Sequence, residues 1–235
     1  MHLLELDAQL LYAEHIFGTA LSDEESNSEE KNSNAQRMLH SCTEMLGPIA
    51  YMSQVHGDRI AYADEAGKYE EVDAIYTDNP NLWLAVQTAD CVPVLISCPY
   101  AVAAAHCGWR GLKAQLLEKV IRTLMKEYHI SPNETAIHIG PCISQDNYEV
   151  ENSFKDIFGE HHFKPSKHKD KSMMDMVGIL REQASELGIP DENINDSGVC
   201  TYREKDLFNS YRRAKQNGND KYNIQLSLVK MENRI

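Results

Sequence analysis

The chain has 235 residues, 42% hydrophobic and 25% charged, the balance of an ordinary globular protein and enough length for one substantial core. A formal charge of −13 excludes extended contact with nucleic-acid phosphates, which depends on clustered Lys and Arg. Six cysteines with no CxxC pair exclude a zinc ribbon, a dense disulfide scaffold and a thioredoxin-like redox pair.

No stretch approaches the about 20 apolar residues of a membrane helix. The N-terminus, with Glu5 and Asp7 inside its first apolar stretch, lacks the basic-then-apolar pattern of a secretory signal. A cytoplasmic protein with no membrane partner is expected, and residues 1–235 read as one domain because no linker divides them.

In chain order, Met1–Phe17 looks like a strand entering a turn at Gly18-Thr19, and Ser22–Ser33, acidic and devoid of apolar residues, predicts a mobile loop. Asn34–Met45 predicts a short helix with Met38, Leu39, Cys42 and Met45 on adjacent turns. Strands are expected at Ile49–Met52, Arg59–Tyr62 and Val72–Thr77, the first running into the turn Gln54-Val55-His56-Gly57-Asp58.

Leu82–Leu112 contains the two apolar runs around which the chain is organised. Leu82–Val86 runs on to Gln87, Asp90 and Cys91 before apolar Val92–Ile96, and Ala101–Ala105 ends at His106-Cys107-Gly108-Trp109-Arg110. Short continuous apolar runs are buried strands, and their ends are where side chains can converge on a ligand.

Leu112–Tyr128 predicts the clearest helix, with apolar residues at three-to-four spacing. Ala136–Ile139 predicts a strand running into Gly140-Pro141-Cys142, and Asn152–Phe158 a short helix. Gly159–Ser172, which holds His161, His162 and His168 among lysines, reads as an exposed loop. Helices are expected at Met173–Leu187 and Lys205–Arg213, and strands at Val199–Tyr202 and Tyr222–Val229. Helices and strands mix without βα repetition, which favours a layered α/β or α+β domain.

His56, Cys91 and His106 each stand where a strand ends, and two imidazoles with a thiolate form a donor set suited to zinc with an open fourth position. Cys91 with His106 fits nearly as well an activated nucleophile and its base, which needs no metal. Asp73, Gln87 and Asp90 can each orient a ligand histidine or satisfy turn backbone. Arg110 suits a phosphate or carboxylate, or a structural stack on Trp109, and Arg212 in Tyr211-Arg212-Arg213 is a second cation for an anionic substrate. Dinucleotide, P-loop, zincin and GxSxG signatures are absent.

At QVHGDRI, DAIYTDNPNLWLAVQTADCVPVLI, AAAHCGWRGL, IGPCISQDNYEV and SGVCTYREKDLFNSYRR the chain resembles the YfiH-type family, also called laccase-domain proteins, multicopper polyphenol oxidases, peptidoglycan editing factors or purine nucleoside phosphorylases. The resemblance implies an α-β-β-α layered sandwich like the catalytic domain of cytotoxic necrotizing factor toxins, with zinc on His56, Cys91 and His106. It implies phosphorolysis of adenosine, inosine, guanosine and methylthioadenosine, with adenosine deamination at the same site. Two departures stand out. Acidic Ser22–Ser33 replaces a glycine-rich GGxS segment, and AHCGWRG replaces AHAGWRG, so Cys107 is either a substitute for alanine or an extra oxidisable thiol.

The expected site therefore has Cys91, Asp90 and Arg110 as catalytic groups, Asp90 as the acid. Gln54, Arg110, Cys142 and Arg212 are expected on the purine nucleoside and phosphate. Copper is a weaker fit than zinc, since no His-x-His pair occurs. A metal-independent Cys–His hydrolase and a peptidoglycan-precursor editing factor are the alternatives, in a monomer or homodimer.

Overall fold

A computed structural model of the protein describes residues 3–4, 13–18 and 31–232. Along the chain come β1 (Leu3–Leu4), β2 (Ala13–Gly18), α1 (Lys31–Leu46), β3 (Ile49–Ser53), β4 (Ile60–Tyr62), β5 (Gly67–Glu70) and β6 (Ala74–Thr77). The organising stretch supplies β7 (Trp83–Thr88), β8 (Val92–Cys98), β9 (Ala101–Cys107) and α2 (Trp109–Lys113). Then follow α3 (Leu116–Tyr128), β10 (Ala136–Ile139), β11 (Glu149–Glu151), α4 (Lys155–Phe158), β12 (Phe163–Pro165) and β13 (Lys171–Met174). The last elements are α5 (Met176–Glu186), β14 (Ile194–Asp196), α6 (Tyr211–Gln216) and β15 (Gln225–Met231).

Two six-stranded sheets, β1-β2-β15-β7-β3-β5 and β14-β10-β8-β9-β6-β4, account for most strands, and β11-β13-β12 form a small third sheet. Side-chain alternation along the strands builds the layers. Met38, Leu39 and Cys42 of α1 pack on Ile49, Trp83, Ala85, Leu226 and Leu228, one face of the first sheet. The other face of that sheet sends Met52, Leu84 and Val86 against Leu95, Val102 and Ala104 of the second. Val94, Ile96, Ala103 and Ala105 then face Leu117, Val120 and Ile121 of α3 and Ile179 and Leu180 of α5. The order helix, sheet, sheet, helix is the expected sandwich.

Several elements differ from the sequence expectation. The Leu112–Tyr128 helix is broken into α2 and α3, because Gln115 takes a left-handed conformation at φ 56°. The closing strand runs over Gln225–Met231 rather than Tyr222–Val229. β15 lies between β2 and β7, so Gln225 and Ser227 are buried along with Leu226 and Leu228. The last helix starts at Tyr211 rather than Lys205 because the Ser210 hydroxyl accepts from the Arg213 N–H and caps it. Val199–Tyr202 contributes only a bridge between Cys142 and Cys200.

Gly159–Ser172 is largely exposed, as expected, but is not a plain loop. β12 and β13 pair with each other and β13 with β11, satisfying the backbone through a sheet rather than water. Within it His162 is buried against Glu182, and His168 Nδ1 lies 2.7 Å from Glu149. Of the acidic segment expected as a mobile loop, residues 22–30 lie outside the described residues, and its end belongs to α1. Among the described residues no helix is long and apolar enough to cross a membrane.

Candidate metal centre

Topology alone brings the three donors to one end of the sandwich. β3 and β7 are parallel neighbours in the first sheet, and after each the chain crosses to the second sheet, to β4 and β8. His56 lies on the first crossing and Cys91 on the second. β9 runs antiparallel to β8, and its last residues pair with the first of β8, His106 opposite Pro93. The donor atoms of His56, Cys91 and His106 all lie within 4.8 Å of one another, and the two imidazoles meet edge to face at 4.7 Å between centroids.

Asp73 holds this arrangement. It precedes β6, which is antiparallel to β9, so it falls beside His106. Its backbone carbonyl accepts from the His106 N–H at 2.7 Å and its Oδ1 lies 2.8 Å from His106 Nδ1. The same fully buried carboxylate accepts from the backbone N–H groups of Val55, His56 and Gly57 at 3.2, 2.9 and 2.6 Å. It thus fixes the turn in which His56 sits at a left-handed φ of 59°. With Nδ1 directed at a carboxylate, His106 has Nε2 left for the site, the arrangement usual for metal-ligating histidines.

The local electrostatics follow. Burial opposes ionisation of Asp73, but His106 and the turn amides outweigh it and hold the carboxyl below its ordinary range. Burial likewise pushes the Cys91 thiol up, while hydrogen bonds with His106 and His56 bring it down to about 6. Burial pulls His106 down, and Asp73 and Cys91 reverse this, raising it to about 9. In the protein without an ion, the two shifts run toward a thiolate beside an imidazolium. A divalent cation would replace the imidazolium proton as the counter-charge.

Gly108 is a close approach. A Cβ on it would lie 3.1 Å from Cys91 Sγ and 3.4 Å from His56 Cδ2. Cys107, beside it, is buried with its thiol pushed far up, chiefly by burial, so it takes the place of alanine as packing and not as a reactive group.

The other expected site residues divide. Arg110 is exposed, its guanidinium 4.4 Å from the centre of the Trp109 ring, and that of Arg212 lies 5.2 Å from the centre of the Tyr148 ring. Tyr148 feels the charges of Cys91, Arg212, Asp90 and Arg110 together. Burial first and then Cys91 raise its phenol to about 12. It was embedded in the DNYEV motif but carried no signal that singled it out.

Asp90, at φ 89°, accepts from the hydroxyls of Thr201 at 2.7 Å and Ser210 at 2.9 Å and from the Arg212 N–H at 2.7 Å. Its carboxylate ties the segment bearing Arg212 to the Cys91 turn.

Gln54 and Cys142 are engaged within the fold. Gln54 Nε2 donates to the Gln87 carbonyl at 2.7 Å and its Oε1 accepts from the Gln87 N–H at 2.8 Å, so its amide prolongs the pairing of β3 with β7. Cys142 is buried, and its backbone is taken up by the N–H on the Val199 carbonyl and the carbonyl on the Thr201 N–H.

The chain matches the family model described as multi-copper polyphenol oxidoreductase laccase over residues 9–227. It is 33% identical to the Escherichia coli K12 protein named purine nucleoside phosphorylase YfiH, over 82% of this chain and 79% of that one. A Haemophilus influenzae protein named purine nucleoside phosphorylase is 32% identical over 72% of this chain and 70% of its own length. Among solved structures, YlmD from Geobacillus stearothermophilus superposes with a TM-score of 0.82 at 23% identity, covering 95% of this chain and 93% of that one. The Neisseria meningitidis protein NMB0706 gives 0.81 at 26% identity, covering 99% of both. The gathered donors and the match along nearly the whole chain agree, and this protein belongs to the multi-copper polyphenol oxidoreductase laccase family, the laccase-like family of the YfiH proteins.

Proposed function

We propose that the chain acts as one catalytic domain, a zinc-dependent purine nucleoside phosphorylase that also deaminates adenosine. The convergence of His56, Cys91 and His106 under the control of Asp73 carries this reading. Two imidazoles and a thiolate match zinc, with a fourth position for a reactant. Multicopper centres need further clustered histidines. Among the described residues the only other group of potential ligands is His161, His162 and Glu182, so copper remains the weaker reading.

His56, Cys91 and His106 would hold the ion, which supplies Lewis-acid polarisation of an oxygen. In phosphorolysis a phosphate oxygen forms a bond to the anomeric carbon as the bond to the purine nitrogen breaks. Arg110 and Arg212 offset the phosphate charge and orient it. Tyr148, kept protonated by its surroundings, can donate a hydrogen bond to the departing purine. Asp90 is then a positioning residue, fixing Arg212 through its backbone. In deamination water replaces the exocyclic amine and ammonia leaves.

Separating the products of adenosine incubated with the zinc-loaded protein tests this. Adenine and ribose 1-phosphate are expected only when phosphate is present, and inosine with or without it. Absence of all three products would refute the reading.

A second reading rests on the line Cys91, His106, Asp73, which is also that of a Cys–His–Asp hydrolase. Turnover that survives exhaustive chelation would favour it.

A further inference from the structure

Outside the candidate centre, a second group of donors converges where the segment after α4 meets α5. The Nε2 atoms of both His161 and His162 face the carboxylate of Glu182, at 3.3 and 2.5 Å. The rings lie 4.0 Å apart with a 42° tilt, and the three donor atoms are all within 4.8 Å of one another. We propose that His161, His162 and Glu182 form a second divalent-cation site, of the two-imidazole, one-carboxylate class that suits zinc.

Side chains of adjacent residues ordinarily diverge, yet these two imidazoles meet on one carboxylate from a single 3-10 turn, Glu160–His162. Gly159 leaves room for the His161 ring: it takes a positive φ of +83°, and a Cβ there would lie 2.9 Å from His161 Cε1. The site's framework is fixed on both sides. The His162 carbonyl accepts from the Asp175 N–H at 2.9 Å and from Gln145 Nε2 at 3.3 Å. Glu182 rides on α5, anchored through buried Met176, Ile179, Leu180 and Ala184.

The donor chemistry suits a divalent cation. Two neutral imidazole nitrogens and a carboxylate are a ligand set for zinc, with bonds of about 2.0–2.2 Å. His162 is buried, whereas the side chains of His161 and Glu182 are 64% and 47% exposed, so an ion can enter and His161 can swing to close the remaining distance. The nearby Lys155 ammonium pairs with Glu160 rather than with Glu182. An ion here would staple the segment preceding β12 to α5. The next residue, Gln183, donates to the Leu112 carbonyl of α2, the helix that bears Arg110.

The test uses the full chain, stripped of metal and dialysed against zinc chloride at neutral pH, with bound zinc read by elemental analysis and by the shift in melting temperature. It is run in a Cys91→Ala background, so that its outcome does not depend on the first site. Cys91→Ala is expected to hold a zinc ion and to melt higher with zinc than without. Adding His161→Ala, at an exposed position, is expected to abolish both, and adding Glu182→Gln, which keeps the side-chain volume, to weaken both. Equal zinc content and equal melting shift in Cys91→Ala and in its His161→Ala and Glu182→Gln derivatives would overturn the site, as would failure of Cys91→Ala to bind zinc.

Discussion

His106 and His162 are both nearly buried imidazoles beside a carboxylate, but the carboxylates take different nitrogens. Asp73, itself fully buried, meets His106 at Nδ1, on the side away from Cys91, whereas Glu182, half exposed, meets His162 at Nε2, the atom offered to an ion. In the first region the carboxylate stands behind the ligand and fixes its tautomer and its orientation. In the second it stands among the ligands. A donor set backed from within the strand layers holds its geometry without an ion, while one assembled at a surface seam needs the ion to close it. Chemistry belongs in the first kind of place and a staple in the second.

The largest effect that tests this difference is loss of a donor. Cys91→Ala is expected to abolish phosphorolysis and deamination and to remove the ion from the first region only. Steady-state assays with zinc analysis check it, and full turnover in that variant would dismiss the assignment.

Removal of the supporting charge comes next. Asp73→Asn keeps an acceptor for the turn amides but loses the anion behind His106, so zinc affinity should fall by about 10–100-fold, measured by competition with a chromophoric chelator. Glu182→Gln should leave that affinity unchanged. Comparable losses from both would erase the distinction between the regions.

Gly108→Ala probes fit rather than charge. The added methyl would press on Cys91 Sγ and His56 Cδ2, and the resulting shift of a few tenths of an ångström is expected to cost about tenfold in kcat, with the circular dichroism spectrum unchanged.

The smallest effects concern the neighbouring thiols. Cys91 is the one cysteine of the six that is not buried, and its thiol is brought down to about 6, so iodoacetamide should label it first in chelated protein and much more slowly after zinc is added. Cys107→Ala should change neither labelling nor activity and should cost about 1 kcal/mol or less in denaturant unfolding.

Much of the first region was legible in the sequence because apolar runs that stop abruptly mark strand ends, and His56, Cys91 and His106 stand at three of them. The layers were legible too, from the resemblance carried by the TADC and HCGWRG motifs. What separates Asp73 from Asp90 was not. Both follow turn-like patterns beside apolar runs, and only the antiparallel pairing of β6 with β9 sets Asp73 against His106 while a distant segment claims Asp90. The second region was misread for a related reason. FKP and KSMM are too short and too polar to show a strand period, so His161 and His162 looked like loop residues, and their partner Glu182 comes from a helix 20 residues on. Gln54 looked available because nothing local reveals that its amide completes a sheet.

X-ray absorption at the zinc edge, on protein loaded with less than one equivalent in a His161→Ala background, tests the central claim most directly. The account predicts one sulfur scatterer at about 2.3 Å with nitrogen scatterers at about 2.0–2.1 Å. A zinc environment without sulfur in the Cys91-containing protein would contradict it.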